Sequence, residues 1–206
     1  MILSKHFVFL HLPKTGGSFV RELCVHYAPA EWQCRLLDNH PTIRDIPHQY
    51  RDLPVFGFVR NPFDWYVSWY YYLKKRGDNA FFNQASDNGT KGFKETMLAA
   101  FEADIARLYG FDCQFSDSAY GCYMNYMFGN DLERLQLGKF ERLRDDLHRI
   151  WSSMVELPAN LESQIASFPK VNESQREQYR AYYDSELRAV IERKDRAVLD
   201  RFGYEF

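Results

Sequence analysis

The chain predicts an α/β fold, with a central and mainly parallel β-sheet flanked by helices. Three observations carry that expectation. Short apolar runs rich in strand formers alternate with segments whose apolar residues recur at helical spacing. Compact turns pass directly from strand to helix at Pro13–Ser18 and again at Arg60–Pro62. The length of 206 residues, with 46% hydrophobic and 26% charged, suits a single domain over 1–206 with a sizeable core.

Phe7–Leu12 reads as the first buried strand, ending at Pro13. Phe19–Tyr27 then places Phe19, Val20, Leu23 and His26/Tyr27 at helical spacing. Cys34–Leu37 is a second short strand, and Asp38–Pro54 reads as loop with one helical turn. Val55–Val59 is the next strand. Asn61 is placed to cap the following helix, with Pro62 in its first turn, over about Phe63–Lys75 and ending at Gly77. The polar, glycine-containing Asp78–Gly92 is expected to be a mobile loop. Helices are expected over Phe93–Tyr109 and Tyr120–Phe128, with Asp112–Gly121 irregular. Leu135–Phe140 reads as a strand, and Glu141–Val155 as an amphipathic helix presenting Leu143, Leu147, Ile150, Trp151 and Met154. Leu157–Asn172 reads as linker and Ser174–Phe202 as a long helical stretch broken near Tyr183–Ser185.

The formal net charge of −2 implies no general surface for nucleic acid or anionic membrane, so an anionic ligand needs a local site. No apolar stretch is long enough to span a bilayer, and a cytoplasmic protein without stable membrane insertion is expected. Cys24, Cys34, Cys113 and Cys122 lack zinc or CxxC spacing and are expected to be free thiols, the alternative being a loop bridge between Cys113 and Cys122.

Pro13-Lys14-Thr15-Gly16-Gly17-Ser18 collects the parts of an anion site. The two glycines permit positive φ and close backbone approach, and the amides there and at the next helix start can cradle phosphate oxygens. Lys14 adds a charge, Thr15 and Ser18 add hydroxyls, and Ser18 stands where an N-cap is useful. This is not the Walker pattern, because Lys14 precedes both glycines. Arg60 leaves a strand end with a guanidinium suited to a forked phosphate contact, or to an ion pair with Asp64. Ser68 follows two turns into the next helix.

PKTGGS after the first strand and VRNPFDWYVSWYY after a later one resemble the two nucleotide signatures of sulfotransferases that use 3′-phosphoadenosine 5′-phosphosulfate (PAPS). The form is closest to carbohydrate-type and bacterial members, and LGKFERLRDDLHRI and DRFGYEF are similar to their later segments. The resemblance implies a P-loop-like three-layer fold, with PAPS as co-substrate and 3′-phosphoadenosine 5′-phosphate (PAP) as product. It implies that Pro13, Lys14, Thr15, Gly16, Gly17 and Ser18 hold the 5′-phosphosulfate, with Lys14 near the bridging oxygen. Arg60 and Ser68 would hold the 3′-phosphate. The Arg-Lys-Gly motif that completes this site in cytosolic members is absent near the C-terminus, so further donors to that phosphate stay unassigned.

Sulfuryl transfer demands in-line geometry and stabilisation of charge on the leaving oxygen, for which no metal is required. A hydroxyl acceptor gains from a base near neutrality, which favours histidine. His40, in the Asp38–Pro41 turn, is the first candidate, and the resemblance implies a catalytic histidine in that region. His11, close to Lys14, is the second; His48 or a carboxylate remains open. The expected partner is a small-molecule or glycan acceptor with a free hydroxyl, and no nucleic acid. The rival readings are a P-loop-type nucleotide kinase and a non-catalytic nucleotide- or glycan-binding protein.

Overall fold

The computed structural model describes residues 1–38, 40–103, 118–169, 171 and 176–206. It is an α/β fold whose contacts divide the chain into two compact units, each assembled from two stretches of sequence. The first comprises Met1–Arg60 and Met127–Glu173; the second comprises Asn61–Tyr126 and Ser174–Phe206.

The first unit holds a five-stranded sheet. Its strands are β1 (Ile2–Leu3), β2 (Val8–Leu10), β3 (Arg35–Leu36), β4 (Val55–Val59) and β5 (Leu135–Lys139), in the order β3-β1-β2-β4-β5. β2–β4 and β4–β5 are parallel, whereas β1 pairs antiparallel with both β2 and β3. The sheet is therefore mixed, not mainly parallel. The difference arises at the N-terminus, where Ser4–Phe7 folds back so that Ile2 faces Phe9 and Leu3 faces Val8. Ser4 fastens the turn: its hydroxyl donates to Trp32 O at 3.1 Å and accepts from the His6 amide at 3.2 Å.

Phe7, Phe9, Phe56 and Phe58 from the sheet pack with Phe19, Val20 and Leu23 of helix α1 (Gly17–His26) in one buried cluster. The cluster extends to Trp151 and Ile165, downstream of β5. Edge-to-face and stacked rings, such as Phe7 against Trp151 at 5.9 Å, account for much of the chain's aromatic load.

The second unit is helical. It contains α2 (Pro62–Arg76), α3 (Ala80–Ser86), α4 (Phe93–Glu102) and most of α5 (Ala119–Phe128). Asn61 caps α2 as expected, accepting from the Phe63 amide at 3.0 Å, and Gly77 ends it at φ 70°. The expected mobile loop Asp78–Gly92 contains α3 instead: Asn79 caps it and Phe81, Phe82 and Ala85 are buried. A short apolar stripe outweighed the polar composition around it. The helix expected over Phe93–Tyr109 ends at Glu102, and residues 104–117 lie outside the described ones.

In the first unit, β5 leads into α6 (Leu143–Ser152), and the expected linker carries α7 (Ala159–Ser167), which buries Leu161 and Ile165. These two residues, one helical turn apart, join the cluster around Trp151. At the C-terminus the second unit adds α8 (Ser185–Lys194) and α9 (Arg196–Phe202). The chain breaks at Asp184, which caps α8 by accepting from the Leu187 amide, and breaks again at Asp195.

Cys122 is disulfide-bonded, its partner lying outside the described residues, whereas Cys24 and Cys34 are free. The expectation of four free thiols is corrected at Cys122. Its sequence spacing excluded a short motif but not a bridge between residues that folding brings together. No helix among the described residues is long and apolar enough to cross a membrane.

Candidate functional site

The loop between β2 and α1 is organised by buried contacts from its own unit. Lys14 adopts φ 66° and Gly16 φ 89°, so two residues of Pro13–Ser18 sit in the left-handed region. For Lys14 this conformation costs roughly 1–2 kcal/mol and persists only where surroundings enforce it. Arg60 supplies the enforcement. Its side chain is buried, Nη1 donates to Lys14 O at 2.9 Å, and its guanidinium lies 4.0 Å above the Phe140 ring. Thus one nitrogen of the expected phosphate fork is committed to the loop backbone. Asp64 pairs with Arg176.

Gly16, not Ser18, is the N-cap of α1, and it offers no side-chain cap. Ser18 is the second residue of the helix. The Gly16 carbonyl accepts from the Phe19 amide at 3.0 Å and the Val20 amide at 3.4 Å. The Gly16 and Gly17 amides have no acceptor among the described residues, which leaves two donors at the positive end of α1. Both glycines are required. A Cβ on Gly16 would sit 2.7 Å from Leu143, and one on Gly17 would sit 1.9 Å from the His11 ring. Thr15 is fully buried and its hydroxyl donates to Leu12 O at 2.7 Å, so its proton braces the loop and is not offered outward.

His11 and His40 come together with ring centroids 4.9 Å apart. Burial first, then electrostatic contributions from His40, the N-terminal ammonium, Lys14 and Arg21, push the His11 pKa down to about 3. A neutral imidazole with so low a pKa is a weak proton acceptor, which argues against His11 as the base. The same shift reports a positive field at the loop although the whole chain is weakly negative. His40 is exposed, in the left-handed region at φ 49°, with Nδ1 3.4 Å from His11 O. A carbonyl only accepts, so that contact puts the proton on Nδ1.

Ser68 belongs to the second unit, buried on α2 one turn after Asp64. Asp64 holds Arg176, whose Nη1 is buried and has no hydrogen-bond partner among the described residues. Asn61 Nδ2 donates to Glu205 O at 2.8 Å, and Phe206 packs edge-on against Phe63 at 5.0 Å. This is why the Phe-Gly-Tyr-Glu-Phe ending accompanies the Asn-Pro-Phe segment. Phe140 and Arg176 are the residues that sequence reasoning passed over. Phe140 stood within a quoted segment but without a role, and nothing near Arg176 in the sequence marks it.

No protein-family model matches this chain, and no curated protein matches it.

Proposed function

We propose that this chain transfers a sulfuryl group from PAPS to an acceptor hydroxyl on a carbohydrate or small metabolite. The observation that carries the reading is the loop itself. A lysine held in the left-handed conformation by a buried arginine stands beside two helix-start amides that have no acceptor among the described residues, in a positive local field. The resemblance of PKTGGS and RNPF…S to the sulfotransferase signatures selects PAPS among possible phosphate ligands. The P-loop-like three-layer arrangement belongs to the same proposal.

In this reading the Gly16 and Gly17 amides and Lys14 Nζ receive the charge that builds on the leaving oxygen as its bond to sulfur breaks. His40 Nε2 takes the acceptor hydroxyl proton while that oxygen bonds to sulfur, and the Nδ1–H contact to His11 O holds the required tautomer. Arg60 acts twice, as the brace of Lys14 and, as the resemblance implies, as a 3′-phosphate ligand. Ser68 has the second of these roles by resemblance.

Titration with PAP against ATP, followed by transfer of radiolabelled sulfate to a panel of hydroxyl acceptors, tests the proposal. Preference for PAP with measurable transfer supports it. Preference for ATP returns the kinase reading, and tight PAP binding without transfer to any acceptor leaves a nucleotide-binding protein. His40→Ala is expected to abolish transfer while PAP affinity stays within about threefold, a difference under 1 kcal/mol.

A further inference from the structure

The anion loop is contacted by a segment that no step of the proposed chemistry uses, the exit of β5. β4 and β5 are parallel with Val59 opposite Lys139, so Arg60 and Phe140 leave neighbouring strand ends side by side. The Arg60 guanidinium lies over the Phe140 ring at 4.0 Å, while its Nη1 donates to Lys14 O at 2.9 Å. The same ring also borders the loop directly. A Cβ on Gly16 would stand 3.2 Å from Phe140 Cδ2 and 2.7 Å from Leu143 Cδ2. Phe140 is itself held on both sides in sequence. The Lys139 amide donates to Asp146 Oδ2 at 2.7 Å, and the turn Phe140–Arg142 runs straight into α6, which carries Leu143 and Asp146.

We propose that Phe140 is a positioning residue for the anion loop and acts through Arg60. The face of an aromatic ring is negative and attracts a guanidinium, and it does so without using the N–H groups that lie in the guanidinium plane. One of those groups is the Nη1–H that meets the Lys14 carbonyl. An aliphatic side chain of similar size would fill the same space without offering that face. The ring therefore ties together three parts of one unit: the end of β4 through Arg60, the turn holding Lys14 and Gly16, and the start of α6. Its loss should loosen the Arg60–Lys14 bond, and with it the positive φ of Lys14, before it loosens the sheet. The effect on a ligand rests on the reading of the loop as a phosphosulfate site; the effect on the loop's own conformation does not.

The test reads the loop first without a ligand. In the full chain carrying isotope-labelled arginine, the Arg60 Nη1 proton is expected to exchange slowly with solvent. Phe140→Leu should accelerate that exchange about tenfold while the amides of β4 and β5 keep their protection. Phe140→Tyr keeps the aromatic face and should stay within about threefold of the wild type. Stepwise fluorination of the Phe140 ring preserves its shape and drains charge from its face, so exchange should quicken with each fluorine, even where Phe140→Leu does not fold. PAP affinity should follow the same order, weakening about tenfold in Phe140→Leu. In an Arg60→Lys background, which has no guanidinium plane, Phe140→Leu should weaken PAP by less than a further factor of about two. Fast Nη1 exchange in the wild type, no response to fluorination, or fully additive losses in the double variant overturns the proposal. If the exchange pattern holds but the wild type binds no PAP, the sulfotransferase reading fails and the role of Phe140 stands. If PAP binds the wild type and Phe140→Leu alike, with Nη1 exchange unchanged, the role of Phe140 fails and that reading stands.

Discussion

The two units use buried polar groups in opposite ways. In the first, buried or constrained groups shape a backbone. Arg60 fixes the Lys14 carbonyl, Thr15 fixes the Leu12 carbonyl, and two amides at the start of α1 have no acceptor among the described residues. In the second, they join helices. Asp195 is fully buried and accepts from Tyr66 Oη at 2.8 Å and from Ser118 Oγ, while Tyr66 Oη accepts from the Tyr120 amide at 3.2 Å. Tyr183 Oη donates to Phe63 O at 2.7 Å. Burial, followed by the Asp195 charge, raises the pKa of both Tyr66 and Tyr183, so both stay protonated donors. A network satisfied in this way fixes structure, whereas the proposed function gives the loop's two amides to a ligand.

The comparison breaks most visibly in activity. Lys14→Ala is expected to lower the sulfuryl-transfer rate on the order of 10²- to 10³-fold, as removal of a charge-stabilising donor does, with little change in melting behaviour. A pure loss of PAP affinity with an unchanged rate would place Lys14 in ground-state binding instead. Asp195→Ala should act in the reverse sense. It deprives two buried hydroxyls of their acceptor and should cost about 3 kcal/mol. Hydrogen exchange is expected to accelerate in α2, α8 and α9 more than in β2 and β4. Equal acceleration in both units would show that the network is not a local fastening.

These assignments differ in how legible they were from sequence. The β4 limits and the Asn61 cap were readable because a strand between turn residues and an Asx-Pro helix start are set by neighbours. Short helices hidden in polar surroundings were not, since Phe81 and Phe82 of α3 and Leu161 and Ile165 of α7 gain their meaning only from the partners that bury them. The same reason explains the sheet. A two-residue strand such as β1 has no periodicity to detect, and its pairing decides whether the sheet is mixed. At the loop, composition pointed to Gly16 and Gly17 but not to their separate tasks. Gly16 supplies the positive φ, while Gly17 makes room for the His11 ring. Arg60 reaches Lys14 across 46 positions, and no local pattern reports such a contact.

His11 gives a pH dependence that belongs to the first unit. Its pKa falls from 6.5 in the unfolded reference to about 3 in the fold. The unfolded chain therefore binds the extra proton first, and stability contributed by neutral His11 is complete above about pH 6.5. It declines as pH falls toward about 3, by at most about 1.4 kcal/mol per pH unit. Melting temperatures of the wild type and of His11→Gln between pH 7 and 4 check this, because the variant should lose that part of the slope. Bound PAP should make the wild-type slope shallower, since its negative charge opposes the positive field that helps hold His11 neutral. An identical slope in both proteins would remove His11 as the titrating group.

The smallest effect distinguishes a brace from a ligand. Thr15 Oγ1 donates its only proton to Leu12 O, so Thr15→Ser should leave both stability and PAP affinity nearly unchanged. Thr15→Val keeps the shape but removes the hydroxyl, leaving the Leu12 carbonyl without that donor at a fully buried position. The expected cost is about 1 kcal/mol in stability, read by urea denaturation, with PAP affinity shifted less than about threefold. The opposite pattern, unchanged stability with a tenfold or greater affinity loss (about 1.4 kcal/mol), would mean that the hydroxyl turns from Leu12 to the anion. Thr15 would then belong with Lys14 among the groups held in reserve, and the line between bracing and binding residues would run through Arg60 alone.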